Sequence, residues 1–319
     1  MSLLSSLGRG TLPSVAVEMA ADHLSAAELE IRGGRATVVA HAIEPLEEGA
    51  IVPALTGSNL VDRSAVIGAL GRLFDRFGGR PRRIGLIIPD PAAKVSLVKF
   101  EHLPPKRQDL DQLVKWQVKK TAPFPVEEAQ VSYTAGARTA EGHEFLVSVA
   151  RRSVIEEYEG VCEEVGSHAG LVDLATFNIV NTVLAGSPPS LRDRLLVNVA
   201  AGYASIAILR GEHLIFFRNR ASDADASVVD LVHQTTMYYE DRLNGGGFER
   251  VFLVGGARHR QAEEVARLAV DLEEHLSTPV ETVDPRHAAR LTDRISAAPA
   301  LLETLAPLVG LLVRGEEAA

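Results

Sequence analysis

Cysteine is nearly missing from this sequence. One residue in 319, Cys162, leaves no internal disulfide to form and no thiolate-rich metal site to build. Ten histidines are present, yet His23, His41, His102 and His143 are scattered. None belongs to a His-x-x-x-His or Glu-x-x-His helix face, so no metal centre is expected. No serine stands in a Gly-x-Ser-x-Gly turn, and no catalytic residue is assigned. Long apolar runs are lacking too: the nearest, residues 297–313, is interrupted by Glu303 and Pro307. The opening MSLLSSLGRG has too short an apolar stretch for a signal peptide. A net charge of -9 argues against a general nucleic-acid binder, because a phosphate backbone would be repelled. What remains is globular, with 46% hydrophobic and 24% charged residues. A cytoplasmic protein of two domains is expected, one that reaches any membrane through a partner.

What the sequence does hold is a duplication. Residues 195–218 read as a buried strand, a turn of small residues at Ala200-Ala201-Gly202, a second strand, a turn at Arg210-Gly211-Glu212 and a third strand. At a constant offset, Val17, Ala20, Ala21, Ser25, Ala27 and Leu29 match Val197, Ala200, Ala201, Ser205, Ala207 and Leu209. Both copies then turn at Arg-Gly. The matches fall at the turn and at alternate strand positions, where a shared backbone demands similar residues.

Between the copies, the spacing predicts a helix over 64–77 and a buried strand over 84–88 ending at Pro89-Asp90-Pro91. A block follows: a strand at 93–101, a helix at 107–120 introduced by Pro104-Pro105, strands at 129–137 and 144–150, and a helix at 153–165 capped by Ser153. A further helix over 174–184 runs into the linker Gly186-Ser187-Pro188-Pro189-Ser190. The second half continues with a helix at 226–243, a strand at 251–254 ending in Gly255-Gly256, a helix at 261–276, a strand at 279–283 and an apolar C-terminal helix. Residues 1–187 are expected to form the first domain, with an inserted subdomain at about 93–168. Residues 188–300 form the second, and 301–319 a helix returning to the first.

Paired three-strand units opening two α/β halves resemble the actin-like ATPase fold, that is, duplicated RNase H-like domains. The resemblance implies two strand turns gripping ATP phosphates across a cleft, with a late Gly-Gly turn against the adenosine. Glycine at such turns lets backbone N–H groups approach phosphate, and an acidic strand end holds Mg²⁺ through water. On that pattern the nucleotide positions are Glu18, Ala20, Asn198, Ala200, Gly202, Gly255 and Gly256. Glu18 stands for the first acid and Asn198 for the second, while Ala20 and Ala200 put methyl groups at the close-approach glycines. The turns are therefore read as degenerate. No cofactor is expected, with Mg·ATP as the ligand left open.

The inserted block carries a second resemblance. Leu103-Pro104-Pro105, LDQLVKWQVKKTAPFPVEEAQVSY, FLVSVARRSVIEEYEGVCEEVG, Val172-Asp173-Leu174 and the final APLVGLLVR look like the PilM family of type IV pilus assembly proteins. The most diagnostic stretch is 116–133. The resemblance implies a cytoplasmic member of an inner-membrane platform that holds the N-terminal tail of a PilN-like bitopic membrane protein in a first-half groove. It also implies a hexameric assembly ATPase as a further partner. Trp116, Lys119 and Phe124 are the candidate partner-binding residues. The phosphate turns bring the chain closer to the GspL-like cytoplasmic domains of type II secretion platforms, which share the fold.

Three functions stay open at this point. The leading one is a non-catalytic scaffold; the second is an ATP-dependent switch; the third is a small-molecule kinase, which would need a base that the sequence does not locate. Lys106, Arg107, Lys115, Lys119 and Lys120 make one helix basic, which suits an acidic partner, anionic lipid headgroups or simply solvent. Cys162, on a predicted helix among apolar neighbours, reads as core. Gly245-Gly246-Gly247 reads as a helix stop rather than a phosphate loop, since no Lys-Ser/Thr follows.

Overall fold

The computed structural model describes residues 13–139, 142–221, 227–255 and 262–314. The first unit comprises β1 (Val15–Met19), β2 (His23–Arg32), β3 (Arg35–Pro45), α1 (Arg63–Phe77) and β4 (Arg83–Ile88). Asp62 caps α1 by accepting the Ala65 N–H at 2.9 Å. Gly78, at φ 93°, ends the helix in the left-handed conformation that a residue with Cβ resists.

The inserted block is β5 (Ala93–Phe100), α2 (Arg107–Lys119), β6 (Ala129–Thr139) and β7 (Gly142–Arg151), folded as a separate antiparallel sheet in the order β5-β7-β6. Side chains alternate across it. One face, with Phe145, Val147 and Val149, packs under Val114 and Val118 of α2.

The next helix, α3 (Arg152–Glu164), was expected to belong to this block, but Val154, Tyr158, Val161 and Cys162 pack with Leu70 and Phe74 of α1. It thus packs with α1 rather than with the inserted sheet's α2 cluster. Ser153 does not cap it; the cap position is Arg151, with no side-chain bond. Cys162 is fully buried, and burial pushes its thiol up to about 12.

An unforeseen strand, β8 (His168–Leu174), then pairs in parallel with β4 and leads directly into α4 (Ala175–Gly186). The second unit repeats the first with β9 (Asp193–Ala200), β10 (Tyr203–Arg210), β11 (His213–Ala221), α5 (Val228–Leu243), β12 (Arg250–Val254), α6 (Ala262–Leu276) and β13 (Val280–Thr282). The chain has already crossed back by β14 (Arg290–Leu291), which pairs with β3, ahead of the boundary expected at 300. It ends in α7 (Pro299–Val313), whose Leu305, Leu308, Val309 and Leu312 pack on Ala16 and Ala27 of the first sheet.

The duplication is visible in the strand orders, β14-β3-β2-β1-β4-β8 and β11-β10-β9-β12-β13. Each sheet sets an antiparallel hairpin beside a parallel strand. Glu18 lies opposite Ser25 and beside Ile87, while Asn198 lies opposite Ser205 and beside Val254. The two hairpin turns thus face a shared cleft.

Candidate functional site

The cleft is lined by the turns that follow β1 and β9, the end of β12, Ala175 and Ile179 of α4, and Glu303, Thr304 and Pro307 in the N-terminal half of α7. Among the predicted nucleotide residues, Glu18, Ala20, Asn198, Ala200 and Gly255 all line it. Gly202 sits in the second turn at φ 84° and Gly256 lies outside the described residues. Gly255 has a structural reason: at φ 78° a methyl group there would overlap the Val199 carbonyl.

Its chemistry fits a triphosphate poorly. The Ala20 N–H donates to the His23 carbonyl at 2.9 Å, so the first turn closes on itself instead of offering that donor outward. Glu18, Asp22 and Glu303 line the cleft, with no lysine or arginine among its described lining residues. The basic side chain present is His23, whose Nδ1 lies 2.7 Å from Asp22 and whose Nε2 lies 3.6 Å from Glu18. Burial alone would lower its pKa, but the bond to Asp22 and the two carboxylate charges outweigh burial and hold it above the ordinary value. The free volume is about 60 Å³, against the roughly 300–1,000 Å³ of a small-molecule site.

Beneath the cleft lies a polar knot that sequence reasoning missed. Asp90, fully buried just past β4, accepts the Thr176 N–H at 3.0 Å, the Thr176 hydroxyl, and the Ser205 hydroxyl at 2.6 Å. Asn198 donates to the Thr176 hydroxyl at 2.9 Å, and Asn219 donates to the Asp90 carbonyl at 3.2 Å. Burial raises the Asp90 pKa despite these donors. With no exposed surface and its oxygens engaged, this carboxylate is closed to a substrate hydroxyl, so it does not supply the base that a kinase needs. Nearby, Asp173 pairs with Arg314 at 2.6 Å, both side chains buried. Burial pushes the Asp173 pKa up to about 6 against the opposing pull of Arg314. The signal for Asp90 was a lone carboxylate between two prolines after a buried strand. Thr176 gave none.

A second concavity, about 340 Å³, lies between β8 and the inner face of the inserted sheet. Six consecutive residues, 169–174, line it. Neighbouring side chains on a strand point to opposite faces, so such a run means that the groove follows the strand's edge. β8 is the terminal strand of its sheet, and its outer edge has no strand partner among the described residues. Across the groove stand Gln130, Ser132 and Ser148, and the buried Ser148 hydroxyl has no hydrogen-bond partner among the described residues. Arg152, Glu156 and Glu159 stand along its wall.

The predicted partner residues lie elsewhere. Phe124 packs, half-buried, against the α2 core. Trp116 and Lys119 are exposed on α2, which covers the face of the inserted sheet opposite to Ser148.

A family model described as type IV pilus assembly protein PilM matches residues 16–241. The solved PilM-PilN type IV pilus biogenesis complex contains a chain 16% identical at TM-score 0.78, with 96% of this chain and 98% of that one covered. A Bacteroides thetaiotaomicron protein with an actin-like ATPase fold and unknown function is 10% identical at TM-score 0.50, covering 83% and 89%. The ethanolamine utilization protein EutJ from Carboxydothermus hydrogenoformans is 12% identical at TM-score 0.50, covering 98% and 93%. At these identities the structural likeness establishes the fold alone, which is actin-like.

Proposed function

This chain belongs to the PilM family of type IV pilus assembly proteins, and on that premise we propose that it is a non-catalytic scaffold docking the N-terminal tail of a PilN-like membrane protein in the groove beside β8. The open edge of β8 carries this reading. An extended tail laid along it would pair with the strand's outward N–H and C=O groups, and alternate side chains would enter the groove. Gln130 and Ser132, with accessible side chains, form the wall that such a tail would face. The match to a chain solved with PilN supports the choice of partner. No described helix is long and apolar enough to cross a membrane, so the tail is the proposed link to the inner-membrane platform.

The test is calorimetric titration with a synthetic peptide of the N-terminal tail of a PilN-like membrane protein from the same organism. Micromolar binding is expected in the wild type. Ser132→Trp, which fills the groove from a half-exposed position, should weaken it at least tenfold at an unchanged thermal midpoint. Wild-type protein that gives no heat, or a variant that binds as well as wild type, would remove the groove from consideration.

The same proposal makes the cleft a relic. Solved neighbours with the actin-like ATPase fold are compatible with Mg·ATP, but the acidic lining, the self-closed first turn and the small volume of this cleft do not fit it. Titration with Mg·ATP to millimolar concentration should show only heat of dilution. A micromolar isotherm that disappears in Glu18→Ala would replace the scaffold with a nucleotide-driven switch.

A further inference from the structure

In a protein of net charge -9, the outer face of α2 runs the other way. From Gln112 to Lys120 there is no acidic residue, while Lys115, Lys119 and Lys120 point outward, all exposed. Neither Lys115 nor Lys119 has an ion-pair partner among the described residues. The acids near the helix start are held apart from them: Asp111 accepts the Tyr133 hydroxyl, and Asp109 stands in the first turn, where it suits the helix dipole. Past the helix, Glu127 is exposed in the turn before β6, and Glu128 is taken by Arg151 at 2.9 Å. Lys94 adds a further cation, donating to the Thr121 carbonyl at 2.6 Å just past the helix end.

Amid these cations stands Trp116, with 58% of its surface exposed and the Lys120 ammonium 3.5 Å from its ring centroid. It is the sole tryptophan in the chain. An indole with an apolar body and a polar N–H, flanked by lysines one helical turn apart, has the chemistry of side chains that settle at a bilayer's headgroup level. The shape also discriminates. A convex helix face offers no groove or strand edge to an acidic peptide, whereas a planar, deformable headgroup layer needs neither.

We propose that the outer face of α2 is a contact surface for anionic phospholipid headgroups, with Lys115, Lys119 and Lys120 on the phosphates and Trp116 in the interface. The contact is peripheral and reversible. It would orient the protein against the bilayer while the β8 groove stays on the opposite face of the inserted sheet.

The sole tryptophan makes the test direct. Purified wild-type protein is mixed at low salt with vesicles of phosphatidylglycerol and phosphatidylcholine, or of phosphatidylcholine alone, and Trp116 emission is followed. Three lysines predict partitioning on the order of a hundredfold stronger onto the anionic vesicles, and 0.5 M salt should largely abolish it. The expected result is a blue shift with quenching by brominated lipid, lost in the combined variant Lys115→Glu, Lys119→Glu, Lys120→Glu at an unchanged thermal midpoint. Unchanged emission with anionic vesicles, or equal binding by the variant, would overturn the proposal. So would a shift produced by polyglutamate and not by vesicles, which would assign the face to an acidic protein segment. The vesicles carry no tail peptide, so failure here leaves tail docking standing, and the reverse holds as well.

Discussion

Asp173 and Arg314 show how one ion pair can set the pH response of a fold. The folded pKa of Asp173, about 6, lies above the value of about 3.9 for an unfolded aspartate. The folded state therefore binds this proton more tightly, and the stability it contributes is complete below about pH 4 and lost as pH rises through 6. Arg314→Ala removes the counter-charge and raises the Asp173 pKa further. The variant should lose roughly 3–5 kcal/mol at pH 8, where a buried carboxylate is left unpaired, and markedly less at pH 5, where Asp173 is neutral. Chemical denaturation at the two pH values checks this, and an equal loss at both would contradict it. His23 acts in the same direction. Its pKa is raised, so its contribution is present below about pH 6.5 and fades as pH climbs past the folded value.

Among the elements, α7 is closely seated on α4. Gly310 lies against α4 so closely that a methyl group would overlap the Asn178 carbonyl, and the Thr182 hydroxyl donates to the Ala306 carbonyl at 2.5 Å. Gly310→Ala should therefore destabilise by about 3 kcal/mol or more through overpacking. Gly71→Ala, in the interior of α1 with open space around it, should be neutral or stabilising by up to about 1 kcal/mol. Thermal melts of the pair separate close approach from helix propensity. The same scale explains what the sequence revealed. α1 was legible because Leu70, Leu73 and Phe74 recur at helical spacing before a glycine stop, and the hairpins were legible because they occur twice. β8 was not: in HAGLVDL, small residues break the alternation, and its parallel pairing with β4 comes from a distant segment. The face that α3 buries is apolar whichever core it joins, so its periodicity could not say that it belongs with α1.

For the whole molecule, the decisive contacts join residues far apart in sequence. Thr176 and Ser205 reach Asp90 across 86 and 115 positions, which is why no local pattern announced the knot. It ties the two sheets together, since Asp90 and Thr176 follow β4 and β8 of the six-stranded sheet and Ser205 and Asn198 stand on β10 and β9 of the five-stranded one. Asp90→Ala would strand buried donors, at about 1–3 kcal/mol each, and unlink the sheets beneath the cleft. Faster amide exchange in β10 and a larger radius of gyration by small-angle scattering are expected. A destabilised variant with unchanged dimensions would show the knot to be packing alone.

The edge of β8 has a mechanical side as well. Hydrogen bonds to a neighbouring strand lie across the strand direction. A tail seated along that edge and drawn toward the membrane along its own axis would load all of these bonds together, in shear. Pulled sideways, it would release them singly, like a zipper. A groove that follows a strand edge is thus built to hold against tension in one direction and to let go in another.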